Sequence, residues 1–139
     1  MKKGAHWIDQ MLMESPYYIQ SIKILIGLCQ TEAQYRHELK RLKVPNYKES
    51  EWIAADKDGN VTEVLKNDGT EHCYIVSIRS KKSTQPIEVI GLIIHEAVHV
   101  WQFIREGIGE DEPSHEFEAY SIQRIAQNLI DAYNISKRK

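Results

Sequence analysis

PIEVIGLIIHEAVHVWQFIRE, residues 86–106, is the stretch whose reading decides the fold. Pro86 stands where a helix takes its first residue, and Glu88 places a negative charge in the first turn, where the helix dipole favours it. Gly107 is a natural stop. Between them lie Ile87, Val89, Ile90, Leu92, Ile93, Ile94, Ala97, Val98, Val100, Trp101, Phe103 and Ile104, apolar almost all round. Such a pattern predicts a helix from about Pro86 to Glu106, buried between other layers. Within it His95 and His99 are four apart, so their imidazoles stack on one face.

Two imidazoles and a carboxylate would be costly to bury without a ligand. The spacing His95-Glu96-Ala97-Val98-His99 lets both rings bind one zinc ion, with Glu96 placed as general base to activate a water. Such a site needs a third protein ligand and, for catalysis, an open fourth position. The following helix, opening at Pro113-Ser114, carries two candidates, Glu116 and Glu118. Its apolar stripe reads Ala119, Ile122, Ala126, Leu129, Ile130 and Tyr133, and helix phase sets Glu118 nearer the middle of that stripe than Glu116. Tyr120, His115, His72 and Tyr74 are candidate donors to a developing oxyanion. Gly107-Ile108-Gly109 and the solvated acidic run Glu110-Asp111-Glu112 form the loop between the two helices.

With the segment His115-Glu116-Phe117-Glu118-Ala119-Tyr120, the chain resembles a zincin metallopeptidase of the glutamate-ligand (gluzincin) type. In many of these an HExxH helix is followed by a second helix carrying Glu-x-x-Ala. The pattern is similar to that of ImmA/IrrE-type and HtpX-type peptidases. It is closer still to small zincin-like proteins of phages and prophages, in which HEAxH precedes Glu-x-x-Ala-Tyr. The resemblance covers Pro86 to about Leu129. It implies a zinc peptidase with His95, His99 and Glu116 as ligands and Glu96 as base. The rival Glu118, with residues 100–117 between it and His99, has a spacing that resembles gluzincin aminopeptidases. Many gluzincins also carry an aspartate four residues after the ligand glutamate. Here Tyr120 or Ile122 stands there, leaving Asp111 or a backbone carbonyl to orient a zinc histidine. In such folds an edge strand binds an extended peptide by strand addition, a role open to Val61–Leu65 or His72–Ile78.

Outward from this helix the chain changes character. Val61–Leu65 and His72–Ile78 are β-rich runs around Asp68-Gly69, a hairpin signal. With the short apolar run Trp52–Ala55 they predict a small antiparallel sheet of about three strands. Towards the N-terminus, Ala5–Met13 reads as a short helix. Ser15-Pro16 then opens a second, carried by Ile19, Ile22, Ile26 and Cys29 to about Leu42. The expected class is α+β, a minimal zincin-like fold in one domain, with N-terminal helices, a small sheet, the buried HExxH helix and a C-terminal helix.

The 139 residues suffice for one ordinary core, and a net charge of -2 leaves no basic footprint for nucleic acid or for an anionic membrane. Cys29 and Cys73 make neither a disulfide framework nor a CxxC site and read as reduced core residues. Asp9, Gln10 and Glu14 interrupt any signal-peptide core, which points to a cytoplasmic protein of a bacterium or an infected host cell. The expected partner is a peptide or protein substrate. The alternative function is a non-catalytic, zinc-containing peptide-binding or regulatory module.

Overall fold

The computed structural model describes residues 4–10, 23–65, 71–81 and 84–138. Four strands, β1 (His6–Gln10), β2 (Lys23–Cys29), β3 (Gly59–Leu65) and β4 (Glu71–Ile78), form one sheet in the order β1-β2-β4-β3. Three helices complete the order: α1 (Glu32–Arg41) after β2, then α2 (Pro86–Gly107) and α3 (His115–Lys137) after β4. The class is α+β.

β2 explains the architecture. Ile24, Ile26 and Leu28 point into one core with Tyr74, Val76 and Ile78 of β4, against α2 and α3. Cys29, one residue out of phase, joins Ile75, Tyr35 and Leu39 in a second core beneath α1. A strand buried on both faces reads as a continuous apolar run, and KILIGLC is one. The predicted N-terminal helices are therefore corrected. The helical spacing of Ile22, Ile26 and Cys29 was embedded in a run that serves two cores, and length and context decide such a case. Ala5–Met13 is corrected as well, since β1 occupies His6–Gln10 and pairs antiparallel with β2. What holds β1 is tertiary. The Trp7 indole covers Gly27, where a Cβ would lie 2.9 Å from the ring. Trp7 Nε1 also donates to buried Glu38 of α1 at 2.8 Å, a carboxylate that Arg41 grips with two further bonds at 2.7 and 2.9 Å. The Ser15-Pro16 helix start and the Asp68-Gly69 turn lie outside the described residues. Helix does follow Thr31, whose side chain caps α1.

The sheet is mixed rather than antiparallel, because β2 and β4 run parallel while β3 pairs antiparallel with β4 as expected. Trp52–Ala55 is not a strand. Its backbone instead supplies carbonyls: Ile53 O accepts from Arg79, Ala54 O from the Lys57 N–H, and Trp52 O from Asn60. β4 lies between β2 and β3, so of the two expected edge strands only β3 has a free edge.

α2 spans the predicted range and is long and apolar enough to cross a membrane by length and composition. Its buried face (Val89, Ile93, Ala97, Val100, Trp101, Ile104) joins the sheet to α3. The rest is not enclosed, contrary to the all-round burial expected: Ile87 is 72 % exposed and Ile94 45 %. α3 starts after Pro113-Ser114, as predicted, with Ser114 as its cap, but its buried stripe runs through Ser121, Ile125, Leu129 and Ala132, and Ala119 is exposed.

Both cysteines are buried, and desolvation pushes the Cys29 thiol up to about 12. Neither thiol should react with a thiol reagent at pH 8 until the protein unfolds, when both of the chain's two cysteines become available. A fast-reacting thiol in the native protein would contradict this packing. The folded state favours the neutral Cys29 thiol, whereas the unfolded chain ionises near 9.0. Stability should therefore fall as pH rises from about 9 towards 12.

Candidate metal centre

Helix periodicity does the first part of the work. His95 and His99 project from the open side of α2, with ring centroids 4.9 Å apart at 75°. Their Nε2 atoms face each other at 3.2 Å. Two nitrogens each about 2.05 Å from a tetrahedral zinc ion are separated by about 3.3 Å, so the pair already has the bite of a shared metal. His99 Nδ1 is 2.9 Å from Gln102 Oε1. The amide oxygen can only accept, so Nδ1 carries the proton and donates, leaving the Nε2 lone pair on the metal side. The orienting role that the sequence left to Asp111 or a backbone carbonyl thus falls to Gln102, one turn along the same helix. The Asp111 carbonyl accepts instead from Arg105.

Glu96 lies at the flank of the histidine pair, where α2 crosses the start of β3. It is 4 % exposed, and its Oε2 is buried without a hydrogen-bond partner. An orphaned carboxylate oxygen of this kind is uncommon and marks either strain or a role with something added to the site. Burial pushes its pKa up, and the neighbouring His95, His99 and Lys57 pull it back. Gly59 makes the approach possible, since a Cβ there would sit 2.9 Å from Oε2 and 3.0 Å from Cγ and Cδ. Donor atoms of His95, Glu96 and His99 all lie within 4.8 Å of one another, a suitable set for a divalent ion with zinc's taste for imidazole and carboxylate.

These three line an open cleft of about 770 Å³. Its other wall is the start of β3 (Gly59, Asn60, Val61) with Lys57 and Asp58 before it, and Arg79 and Thr84 close it. Lys57, Gly59 and Arg79 were not singled out in the sequence. Nothing local in Asp56-Lys57-Asp58-Gly59 announces that this segment faces the histidines.

The second part of the expected site is not assembled. Among the described residues no side chain of α3 lines the cleft. Glu116 is exposed on the first turn of α3 and stands outside the donor cluster. Glu118 is half-buried and its Oε2 accepts from Trp101 Nε1 at 2.9 Å, a bond seated beside the Trp101–Phe117 ring contact. The oxyanion candidates are elsewhere too. Tyr74 is fully buried beside Phe103, with its hydroxyl 3.5 Å from His72 Nδ1, while Tyr120 is 60 % exposed on α3 and His115 opens that helix. Compared with known proteins, the chain matches no family model, no curated protein and no solved structure.

Gln102 is exposed, so Gln102→Leu should leave stability within about 0.5 kcal/mol of wild type. It should weaken zinc binding by about tenfold or more, because His99 loses its orienting acceptor. Competition titration with a chromogenic chelator measures this, and equal affinities would show that Gln102 does not set the histidine.

Proposed function

We propose that this protein is a zinc-dependent hydrolase of peptide bonds. The observation that carries the reading is the convergence of two imidazole Nε2 atoms, 3.2 Å apart, beside a buried carboxylate oxygen with no partner. A purely structural metal site has no use for Glu96. In a hydrolytic site the burial that raises its pKa makes it a stronger base than a solvated carboxylate.

His95 and His99 are the proposed ligands. Glu116 is the proposed third on the resemblance of its Glu-x-x-Ala segment to that of gluzincins, since Glu118 is committed to Trp101. A bound zinc ion would polarise the substrate carbonyl and make water a nucleophile at neutral pH. Glu96 takes the proton of the attacking water and passes it to the departing amine, so no net proton is lost in the cycle. Gln102 keeps His99 in the right tautomer.

Substrate would lie along β3. The Arg79 N–H donates to Asp58 O at 2.8 Å, next to the Gly59–Ile78 pair. The alternation of an antiparallel ladder then turns the N–H and C=O of Gly59, Val61 and Glu63 towards the free edge. An extended peptide can pair with these groups, its carbonyl presented at the Glu96 end of the strand. A non-catalytic peptide-binding module would use the same edge, and the buried base is what argues for hydrolysis.

Untagged protein should hold about one zinc per chain by mass spectrometry. His99→Ala and Glu116→Ala should lose it, while Glu118→Ala keeps it. Glu96→Gln should retain zinc and lower peptide hydrolysis by about two orders of magnitude or more. Protein that takes up no zinc even on reconstitution would rule the reading out, and full activity in Glu96→Gln would remove the base.

A further inference from the structure

The cleft is charged unevenly. Arg79 is fully engaged: its guanidinium donates to Lys57 O at 3.0 Å and Ile53 O at 3.1 Å and lies 5.4 Å over the Trp52 ring. Glu88 accepts from the Gln85 N–H at the start of α2. Lys57 differs. It is exposed, it lines the cleft, and its amine has no hydrogen bond or ion pair among the described residues. Its backbone nevertheless is fixed, by Arg79 at the carbonyl and by Ala54 O at the N–H, 3.0 Å away. One cation thus serves to hold the loop that presents another.

Its position along β3 gives it a meaning. A peptide added antiparallel to β3, the slightly more stable pairing, runs with its C-terminal end towards Gly59 and then Lys57. Glu96 touches the strand at Gly59. Lys57 stands two residues before Gly59, at the end of a turn that its N–H closes on Ala54 O, and it lines the same cleft as Glu96. A peptide opened beside Glu96 therefore leaves its C-terminal end on the Lys57 side of the cleft. We propose that Lys57 anchors the C-terminal carboxylate of the substrate, so that the protein trims peptides from their C-terminal ends. The inference rests on the peptidase reading and adds a substrate class and an anchoring residue to it. Asp58, next in the chain, also lines the cleft and opposes the attraction.

The test uses zinc-loaded Glu96→Gln protein and a fluorescein-labelled pool of random decapeptides, read by fluorescence polarisation. The pool is supplied as free acids, as C-terminal amides, and as amides ending in glutamate. Free acids should bind about fivefold tighter than amides, as expected of one solvent-exposed ion pair. The ratio should fall to about one in a Lys57→Met background, persist with Lys57→Arg, and rise with Asp58→Asn. Equal binding of acids and amides, or an unchanged ratio with Lys57→Met, would overturn the proposal. Tight binding of the glutamate amides would show that an acidic side chain is read instead of the terminus, which also overturns it. Products of the zinc-loaded wild type, identified by mass spectrometry, separate the two readings. Cleavage at internal bonds defeats the anchoring role and leaves a peptidase, whereas no cleavage at all defeats both.

Discussion

The contact between Glu96 and Gly59 is the constraint on which the site depends. A carboxylate is brought out of water against a strand, and a Cβ at position 59 would displace the Glu96 side chain from this place. Everything that fixes the crossing of α2 over β3 therefore also fixes the candidate base. Val89, Ile93 and Val100 hold one side of α2 in the core with Tyr74, Val76 and Ile78, and Val61 packs against that cluster two residues beyond Gly59. The buried face of the helix thus positions chemistry on its open face. Moving a well-packed helix to relieve one carboxylate would disturb many dispersion contacts at once, so the electrostatic cost of Glu96 is carried by apolar packing.

How much of this was legible in the sequence depends on how local the cause is. α2, with its Pro86 start and its end at Gly107, follows from propensity, capping and period, and the sequence reading finds it almost to the residue. The same holds for the start of α3 after Pro113-Ser114 and for the antiparallel pairing of β3 with β4. β1 and β2 were misread because their causes are tertiary. Ile22, Ile26 and Cys29 have helical spacing, yet the intervening Ile24, Leu25 and Leu28 belong to a strand with cores on both faces. Trp7 is held by Gly27 and Glu38, neither adjacent in the chain, and no period could announce it.

The site divides along the same line. His95, Glu96 and His99 come together because one helix carries them. Gln102 is equally local, at three residues from His99, but an exposed glutamine on a helix carries no sequence signal that marks it as the acceptor for His99. Residues contributed by other elements were harder. The phase of α3 was read from Ala119, Ile122 and Ala126, but burial runs through Ser121 and Ile125, with the small polar Ser121 where a larger apolar residue was expected. That rotation turns Glu118 inward to Trp101 and leaves Glu116 exposed.

On the proposed reading, the cleft offers a substrate path with few dedicated groups. Most polar contacts around it are already closed within the protein: Arg79 on carbonyls, Glu88 on the helix start, Gln102 on His99. The groups that face the cleft are of three kinds: the backbone edge of Gly59, Val61 and Glu63, the paired Nε2 atoms of the histidines with the Glu96 oxygen, and the Lys57 side chain. A backbone edge reads the peptide main chain and is indifferent to side chains. With recognition of that kind, affinity for any one sequence is modest, and discrimination must come from the ends of the path. Lys57 stands at one end, which makes a chain terminus a more natural determinant here than a preferred residue.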